Sequence, residues 1–321
     1  MRSPRAPYVV ITLLGVALAA TGCGSGAPDS PGALTPSSAS STASSTASPE
    51  PSTGAEPGGT PTPAASAAPG TDTAAIYYLV DTRVGPRLQR EFRQVPRSST
   101  PVHAAVDGML HLAPLDRDYS SLWPKSTRIL GIDIEGELAT VDLSADAAKG
   151  NAGAAFEETS LQQLVHTVTA ASPRIKRVQL HIDGRPRESL WGHASADKPM
   201  SRGSHIDVLA PISISTPNEG STVGATFTVS GTATVFEANV LWRVTRGCPA
   251  DVTCVGEKPV YRSGFVTASA GAPARGTWSF EVTVPDEVFE TAGFVEITAF
   301  ESSAEDGREI YADTKVVSVS R

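Results

Sequence analysis

Apolar and polar positions divide this chain of 321 residues into four stretches with different spacing. The first contains a mostly apolar run, and the second is a polar stretch without periodicity. The third mixes alternating runs with runs at helical spacing, and the fourth contains only short alternating runs. Because alternation is typical of strands and a 3.6-residue period of helices, the pattern predicts an α+β domain followed by an all-β domain.

The apolar run at Tyr8–Ala20 follows two basic residues, Arg2 and Arg5. It is shorter than the roughly 20 residues that a membrane-spanning helix needs. Its length and its basic start are instead typical of a signal peptide, which we predict over residues 1–22. The protein is therefore expected outside the cytoplasm.

The run ends at Ala20-Thr21-Gly22-Cys23, which resembles the bacterial lipobox. In that motif a peptidase cuts before a cysteine that carries diacylglycerol, although Ala20 stands where the pattern usually has leucine. The resemblance implies that Cys23 carries lipid, palmitate included, and anchors the protein on the extracytoplasmic face of the cell membrane. The alternative is an ordinary cleaved signal whose mature chain happens to include Cys23.

Residues 23–73 are composed almost entirely of Gly, Ser, Thr, Ala and Pro. Such a composition buries too little apolar surface to offset the entropy of ordering the chain, so we predict a disordered tether. Fifty flexible residues span about 40 Å on average, which would hold a folded body away from the membrane.

Ordered patterning begins with the first domain, predicted over residues 74–208. Its elements follow the order ββαββαβ, which predicts helices packed on a sheet. Thr100-Pro101 is typical of a helix start, and Gly136-Glu137 of a hairpin turn. The predicted elements are strands at Ala75–Asp81 and Leu88–Val95, a helix after Thr100-Pro101, a hairpin over Arg128–Ser144, a helix opened by Glu157 and Glu158, and a strand at Arg177–Asp183.

The second domain, predicted over residues 209–321, offers seven short alternating runs, which favour a β-sandwich. Val240, Trp242 and Val244 alternate on one of these runs. Trp242 is interpreted as a core tryptophan, and the alternative is an aromatic ring that stacks on a ligand.

Several separated motifs of the first domain resemble the GerMN domain. They are Tyr77–Val80, the hairpin Ile132–Leu143, "SLQQLVHTVTA" at Ser160–Ala170, "VQLHIDG" at Val178–Gly184, and "LWGHASADKPMSR" at Leu190–Arg202, which is similar to the tail of lipoprotein members. The resemblance covers Ala74–Val208 and implies a fold similar to the ring-building modules of secretion and sporulation assemblies. Residues 211–321 resemble the immunoglobulin-like domain that accompanies GerMN domains in germination lipoproteins. Both resemblances imply an interaction protein.

Signatures of enzymes are missing from the sequence. It contains no G-x-S-x-G elbow, H-E-x-x-H helix, phosphate loop or dinucleotide fingerprint. We therefore predict no catalytic residue and no cofactor. An exported chain with a net charge of −8 is also not expected to bind nucleic acid.

Two groups of polar residues are candidate metal sites. The triplets His181-Ile182-Asp183 and His205-Ile206-Asp207 would each place a histidine and an aspartate on one face of a strand, but no third ligand is placed by spacing. The other group consists of carboxylates that alternate along a hairpin and could instead bind calcium. Its members are Asp133, Glu135, Glu137 and Asp142. We interpret both groups as solvated strand positions and predict no metal.

Five arginines form the densest charged cluster: Arg83, Arg87, Arg90, Arg93 and Arg97. Such an edge could contact anionic lipid headgroups or an anionic wall polymer. The alternative is a solvated strand whose charges prevent edge pairing, and it is favoured because Phe92 and Val95 interrupt the patch.

Cys248 and Cys254 flank five residues in a predicted loop of the second domain. Outside the cytoplasm a disulfide is favoured, and a redox pair would have two intervening residues. We predict a structural disulfide.

The sequence thus predicts a non-catalytic, lipid-anchored envelope protein that acts as an interaction or assembly module. The family resemblance implies spore germination or envelope signalling, with an envelope protein as the unknown partner. The alternative function is recognition of peptidoglycan or another glycan of the cell wall.

Overall fold

A computed structural model describes residues 70–249, 252, 254–256, 258–290 and 293–321. The predicted signal peptide, Cys23 and nearly all of the predicted tether lie outside the described residues. No helix among the described residues is long and apolar enough to cross a membrane.

The first domain contains seven strands and three α-helices within its described residues, and its long elements follow the predicted ββαββαβ order. Two short strands, β3 and β7, are additions to that order. The elements are β1 (Thr71–Thr82), β2 (Gly85–Pro96), α1 (Pro101–His111), β3 (Tyr119–Ser120), β4 (Ile129–Glu135), β5 (Leu138–Leu143), α2 (Ala154–Ala171), β6 (Arg177–Ile182), β7 (Arg185–Pro186) and α3 (His205–Val208).

The strands form two sheets, with orders β2-β1-β3 and β4-β5-β6-β7. β1 and β2 make a long antiparallel hairpin that pairs Thr71 with Pro96 and Thr82 with Gly85. β1 therefore begins three residues before the predicted domain boundary at residue 74. The composition there is that of the tether, but β2 supplies the backbone hydrogen bonds that make it a strand.

Helix α1 begins where the sequence predicts. The Thr100 side chain accepts a hydrogen bond from the backbone N–H of His103 at 3.1 Å, and Pro101 occupies the first turn. Gly108 lets the helix approach β1, because a Cβ at this position would lie 2.6 Å from Cδ1 of Ile76.

Helix α2 covers the free edge of β1. Gln163 Nε2 donates to the carbonyl oxygen of Tyr77 at 2.8 Å, and the N–H of Tyr77 donates to Thr167 Oγ1 at 3.3 Å. These bonds replace a missing neighbouring strand, since β3 pairs with β1 only at Leu79 and Val80.

Helix α2 begins at Ala154, three residues earlier than predicted, and Glu157 does not face solvent. Its carboxylate is buried and accepts hydrogen bonds from the N–H groups of Trp191 at 2.7 Å and His193 at 2.9 Å. Glu157 therefore fixes the tail motif "LWGHASADKPMSR" to the domain.

The second domain is the predicted sandwich. Its strands are β8 (Ile212–Thr216), β9 (Thr222–Val223), β10 (Thr226–Ala233), β11 (Asn239–Arg246), β12 (Val260–Thr267), β13 (Gly276–Thr283), β14 (Phe294–Ser302) and β15 (Glu309–Val319), with a short helix α4 (Glu287–Glu290). One sheet has the order β13-β10-β8 and the other β12-β11-β14-β15-β9. All seven predicted strands are present, and β9 is an addition.

The prediction of a strand at His205-Ile206-Asp207 is wrong. These residues form helix α3, whose side chains are not buried. The similar triplet His181-Ile182-Asp183 is only partly in a strand, since β6 ends at Ile182 and Asp183 lies in the following turn with a φ of +49°. The N–H of Leu209 donates to the carbonyl oxygen of His205, which closes a helical turn before the linker.

Candidate functional site

Buried charged and polar side chains meet at the junction between the two domains. It starts from the loop that follows α1. Glu91 on β2 accepts hydrogen bonds from the backbone N–H groups of Leu115 at 2.9 Å and Asp116 at 3.0 Å. Arg93 pairs with Glu91 at 2.9 Å and donates to the carbonyl oxygen of Ala113 at 2.7 Å. β2 thereby fixes the loop that presents Asp116 and Tyr119.

These two side chains meet Lys315 of β15. Lys315 Nζ lies 2.7 Å from Asp116 Oδ2, 2.6 Å from the Tyr119 hydroxyl and 2.8 Å from Asp313 Oδ1. The Tyr119 hydroxyl also donates to Asp313 Oδ1 at 2.6 Å, and the N–H of Ile214 donates to Asp313 Oδ2 at 2.6 Å. We call Asp116, Tyr119, Asp313 and Lys315 the junction cluster.

Every member of the junction cluster is buried, with exposed fractions of 6% or less. Burial by itself lowers the pKa of Lys315, but the carboxylates of Asp313 and Asp116 more than offset it, and the pKa is raised. Lys315 therefore stays charged. A buried cation is stable only while its partners remain in place, so the cluster requires both domains.

The linker between the domains is also hydrogen-bonded. The N–H of Ala210 donates to the carbonyl oxygen of Leu88 at 3.0 Å, and Gln89 Nε2 donates to the carbonyl oxygen of Ile212 at 2.8 Å. From the second domain, Arg275 Nη1 donates to the carbonyl oxygen of Ala210 at 2.9 Å. The linker is thus held against β2, where Leu209 makes an isolated parallel bridge to Leu88, and is not a free hinge.

The five arginines that the sequence grouped do not share one role. Arg93 belongs to the junction, and Arg97 pairs with Asp72 at 3.1 Å. Arg90 Nη2 reaches Ser215 Oγ of the second domain at 3.2 Å. Arg83 is exposed in the β1–β2 turn, and Arg87 is half-buried beside it. Contact with an anionic surface stays a prediction, and Arg83 is the member best placed for it.

Cys248 and Cys254 are joined by a disulfide, with their Cα atoms 5.6 Å apart. We predict that the mature, unreduced protein has no free thiol at these two positions. The two cysteines should resist alkylation until a reductant is added, which peptide mass analysis would measure. Alkylation of both cysteines without reductant would contradict the prediction.

The two histidine triplets lie apart, although His181 on β6 is paired in register with Asp142 on β5. His181 lies on β6 opposite Pro186, whereas His205 Nε2 is 2.9 Å from the carbonyl oxygen of Pro273. Asp133 and Glu135 are exposed on β4, and Asp142 accepts a bond from the N–H of Gly184 at 2.9 Å. Within the described residues, no group of three or more His, Cys, Asp and Glu side chains could hold a metal ion.

Trp242 lies on the inner face of its sheet and is half-buried. Its ring stacks on Phe280 with centroids 4.3 Å apart, and Phe280 in turn stacks on Trp278 at 5.9 Å. One face of the Trp242 ring is therefore already occupied within the core, which favours the core interpretation over a ligand-stacking role.

The sequence interpretation missed the junction cluster. One signal was available in β15, where Asp313, Lys315, Val317 and Val319 alternate on the buried face of the strand. Two charged residues at inward positions indicate buried partners, because an unpaired buried charge is too costly.

Family comparisons agree with both halves of this fold. Residues 75–188 match the family Germane, described as "Sporulation and spore germination". Residues 211–308 match Gmad2, described as "Immunoglobulin-like domain of bacterial spore germination". The chain thus contains a region that matches Germane followed by a region that matches Gmad2. No curated protein matches it.

Several solved structures are similar to part of this chain. The first GerMN domain of the sporulation protein GerM from Bacillus subtilis is 19% identical over 41% of this chain and 98% of that chain, with a TM-score of 0.35. The tandem GerMN domains of the same protein give the same identity and score, and the match spans 46% of that chain. The structure named "Putative Lipoprotein from Clostridium perfringens" is 21% identical over 41% of this chain and 88% of that chain, with a TM-score of 0.31. These scores are low, so the assignment depends on the two family matches.

The stability of the folded protein should depend on pH through Glu219, which borders the junction cluster. Burial raises the pKa of the Glu219 carboxyl from 4.5 to about 7, although the N–H of Val316, which it accepts at 2.6 Å, acts in the opposite direction. The folded protein therefore holds the proton more tightly than the unfolded chain. Glu219 therefore contributes to the free energy of unfolding below pH 4.5, and this contribution is lost as the pH rises through 7.

The measurement is the free energy of unfolding of the wild type and of Glu219→Gln between pH 4.5 and 8. We expect the wild type to lose stability relative to the variant as the pH rises. We compare the two proteins because burial also lowers the pKa of His166 to about 3. That shift makes the stability of both proteins rise with pH below pH 6.5, and it cancels in the difference between them. A difference that does not change with pH would contradict the prediction.

Proposed function

We propose that this protein is a non-catalytic, lipid-anchored envelope protein whose two domains act together as one interaction module in spore germination or envelope signalling. The observation that carries the proposal is the junction cluster. It fixes the Germane and Gmad2 domains through buried charges, so that both present their surfaces in one arrangement. A fixed pair of surfaces suits simultaneous contact with a partner better than two independently moving domains would.

Two further observations support an interaction role. The descriptions of both families concern spore germination and not an enzymatic reaction. The two candidate histidines lie on separate elements, β6 and α3, and within the part of the chain that the structure describes no three His, Cys, Asp or Glu side chains could hold a metal ion.

Complementation of a deletion strain tests the proposal. One set of variants carries His181→Ala or His205→Ala, and the other shortens the predicted tether to a few residues. We expect the histidine variants to restore function and the short tether to impair it, because an interaction protein depends on reach. Crosslinking on intact cells should then recover discrete membrane-protein partners from the wild type.

The opposite pattern would overturn the proposal. A well-folded histidine variant without function, combined with full function of the short tether, would indicate a catalytic or metal site. Sedimentation with purified cell wall, without any protein partner, would instead favour recognition of a glycan.

A further inference from the structure

A crevice runs along the seam between the two domains and comprises two adjoining cavities of about 270 and 260 Å³. The cavities share the lining residues Val80, Asp81, Gln89 and Ala312. One wall is the end of β1, the other is the start of β15, and the linker at Ala210-Pro211 closes one end. We call this space the seam crevice.

Both walls of the seam crevice are strand edges without a neighbouring strand. β1 pairs with β3 only at Leu79 and Val80, so Asp81 and Thr82 extend beyond that pairing. β15 pairs with β9 only at Ser318 and Val319, which leaves the same edge unpaired by any described strand over Glu309–Ala312. Strand edges of this kind bind extended peptides through backbone hydrogen bonds.

Gln89 forms the floor of the crevice. It lines both cavities and is 3% exposed. Its Nε2 donates to the carbonyl oxygen of Ile212 at 2.8 Å, which connects β2 of the first domain to β8 of the second. The two walls are therefore held at a fixed distance from each other.

Tyr311, on the β15 wall, has a strained backbone. Its φ is +56°, in the left-handed region that non-glycine residues rarely occupy, next to a bulge in the pairing of β14 with β15. Strain of this kind clusters at sites that bind ligands.

Charge decides which peptide fits. Asp81, Asp118 and Glu309 line the crevice, against the single cation Arg83. Glu309 pairs with Arg243, and Asp313, which also lines the crevice, pairs with Lys315. Asp81 and Asp118 are therefore left without an ion pair among the described residues. We propose that the seam crevice binds an extended, basic peptide segment of a protein partner, which adds a strand along β15. This proposal rests on the interaction role proposed above and names the chemistry of the partner.

The test is a calorimetric titration of the full mature chain with two pentapeptides in extended form, one alternating lysine with valine and the other alternating glutamate with valine. Ala312→Arg fills the crevice from an exposed position, and Ala274→Arg places the same side chain at an exposed loop position that lines none of these cavities. We expect the lysine peptide to bind, Ala312→Arg to weaken it by about tenfold or more, and Ala274→Arg to leave it unchanged. Arg83→Ala, at an exposed turn, should tighten binding by about twofold.

Hydrogen exchange of the complex locates the peptide. Slower exchange of the amides at Glu309–Ala312 on addition of the lysine peptide supports strand addition at this edge. Equal binding of the two peptides, equal affinity of the wild type and a folded Ala312→Arg, or no heat at millimolar peptide would each overturn the proposal. Chitin oligosaccharides serve as the probe for recognition of a glycan, and their binding in place of the peptides would also overturn the proposal. Because complementation by the tether variants does not involve the crevice, these failures are separate from failure of the proposed function.

Discussion

Replacement of Lys315 by methionine is expected to lower the free energy of unfolding by about 3–5 kcal/mol, which is the usual cost of removing one partner from a buried ion pair. Lys315→Met keeps much of the side-chain volume but removes the charge that Asp116 and Asp313 face. Both carboxylates would then be buried without a cation, and Asp116 belongs to the other domain. The loss should therefore weaken the junction as well as the second domain.

Denaturant unfolding followed by circular dichroism measures this effect. The matched control is Lys149→Met, because Lys149 pairs with Asp146 at 2.6 Å but its side chain is 70% exposed. The control should change stability by less than about 0.5 kcal/mol. Adding Asp116→Asn to Lys315→Met should recover part of the loss, since it removes one uncompensated charge. A loss below about 1 kcal/mol for Lys315→Met would show that the cluster is not a major stabilising contact.

Substitution of Cys23 by serine is expected to abolish attachment to the membrane. Serine has no thiol and cannot form the thioether to diacylglycerol that the lipobox resemblance implies. Two or more acyl chains anchor a protein stably, at about 0.8 kcal/mol per buried methylene, so their loss leaves no comparable anchor. The variant should accumulate as uncut precursor or be released from the cell.

Cell fractionation after a high-salt wash, together with metabolic labelling by a fatty acid, measures the outcome. Ser25→Ala is the control, because it changes a small neighbour of Cys23 and leaves the thiol in place. A Cys23→Ser protein that is cleaved normally and stays as membrane-bound as the wild type would show that the lipobox interpretation is wrong.

The sequence was most informative where local chemistry determines structure. Thr100 and Pro101 marked the start of α1, and Gly136, with φ at +60°, allows the β4–β5 turn where it was predicted. Alternation located all seven long strands of the sandwich. The triplet at His205 misled the interpretation, since three residues cannot distinguish a strand from a helical turn.

The junction could not be assembled from the sequence. Tyr119 and Lys315 touch across 196 positions, and no spacing rule relates residues so far apart. Glu157 was placed correctly in a helix, but its role depends on Trp191 and His193, which fold back from a later segment. Such contacts follow from tertiary packing and leave only an indirect trace, such as inward charges on β15.

Strand β1 connects the predicted tether to the seam crevice. It begins at Thr71, next to the predicted tether, and its far end at Val80–Thr82 forms one wall of the seam crevice. Tension between the membrane and a bound partner would therefore act along this strand. Because the proposed partner pairs with β15, the load would have to leave β1 through its neighbours, chiefly through the hydrogen bonds to β2. These bonds lie across the direction of pull, so they would share the load simultaneously instead of opening one after another.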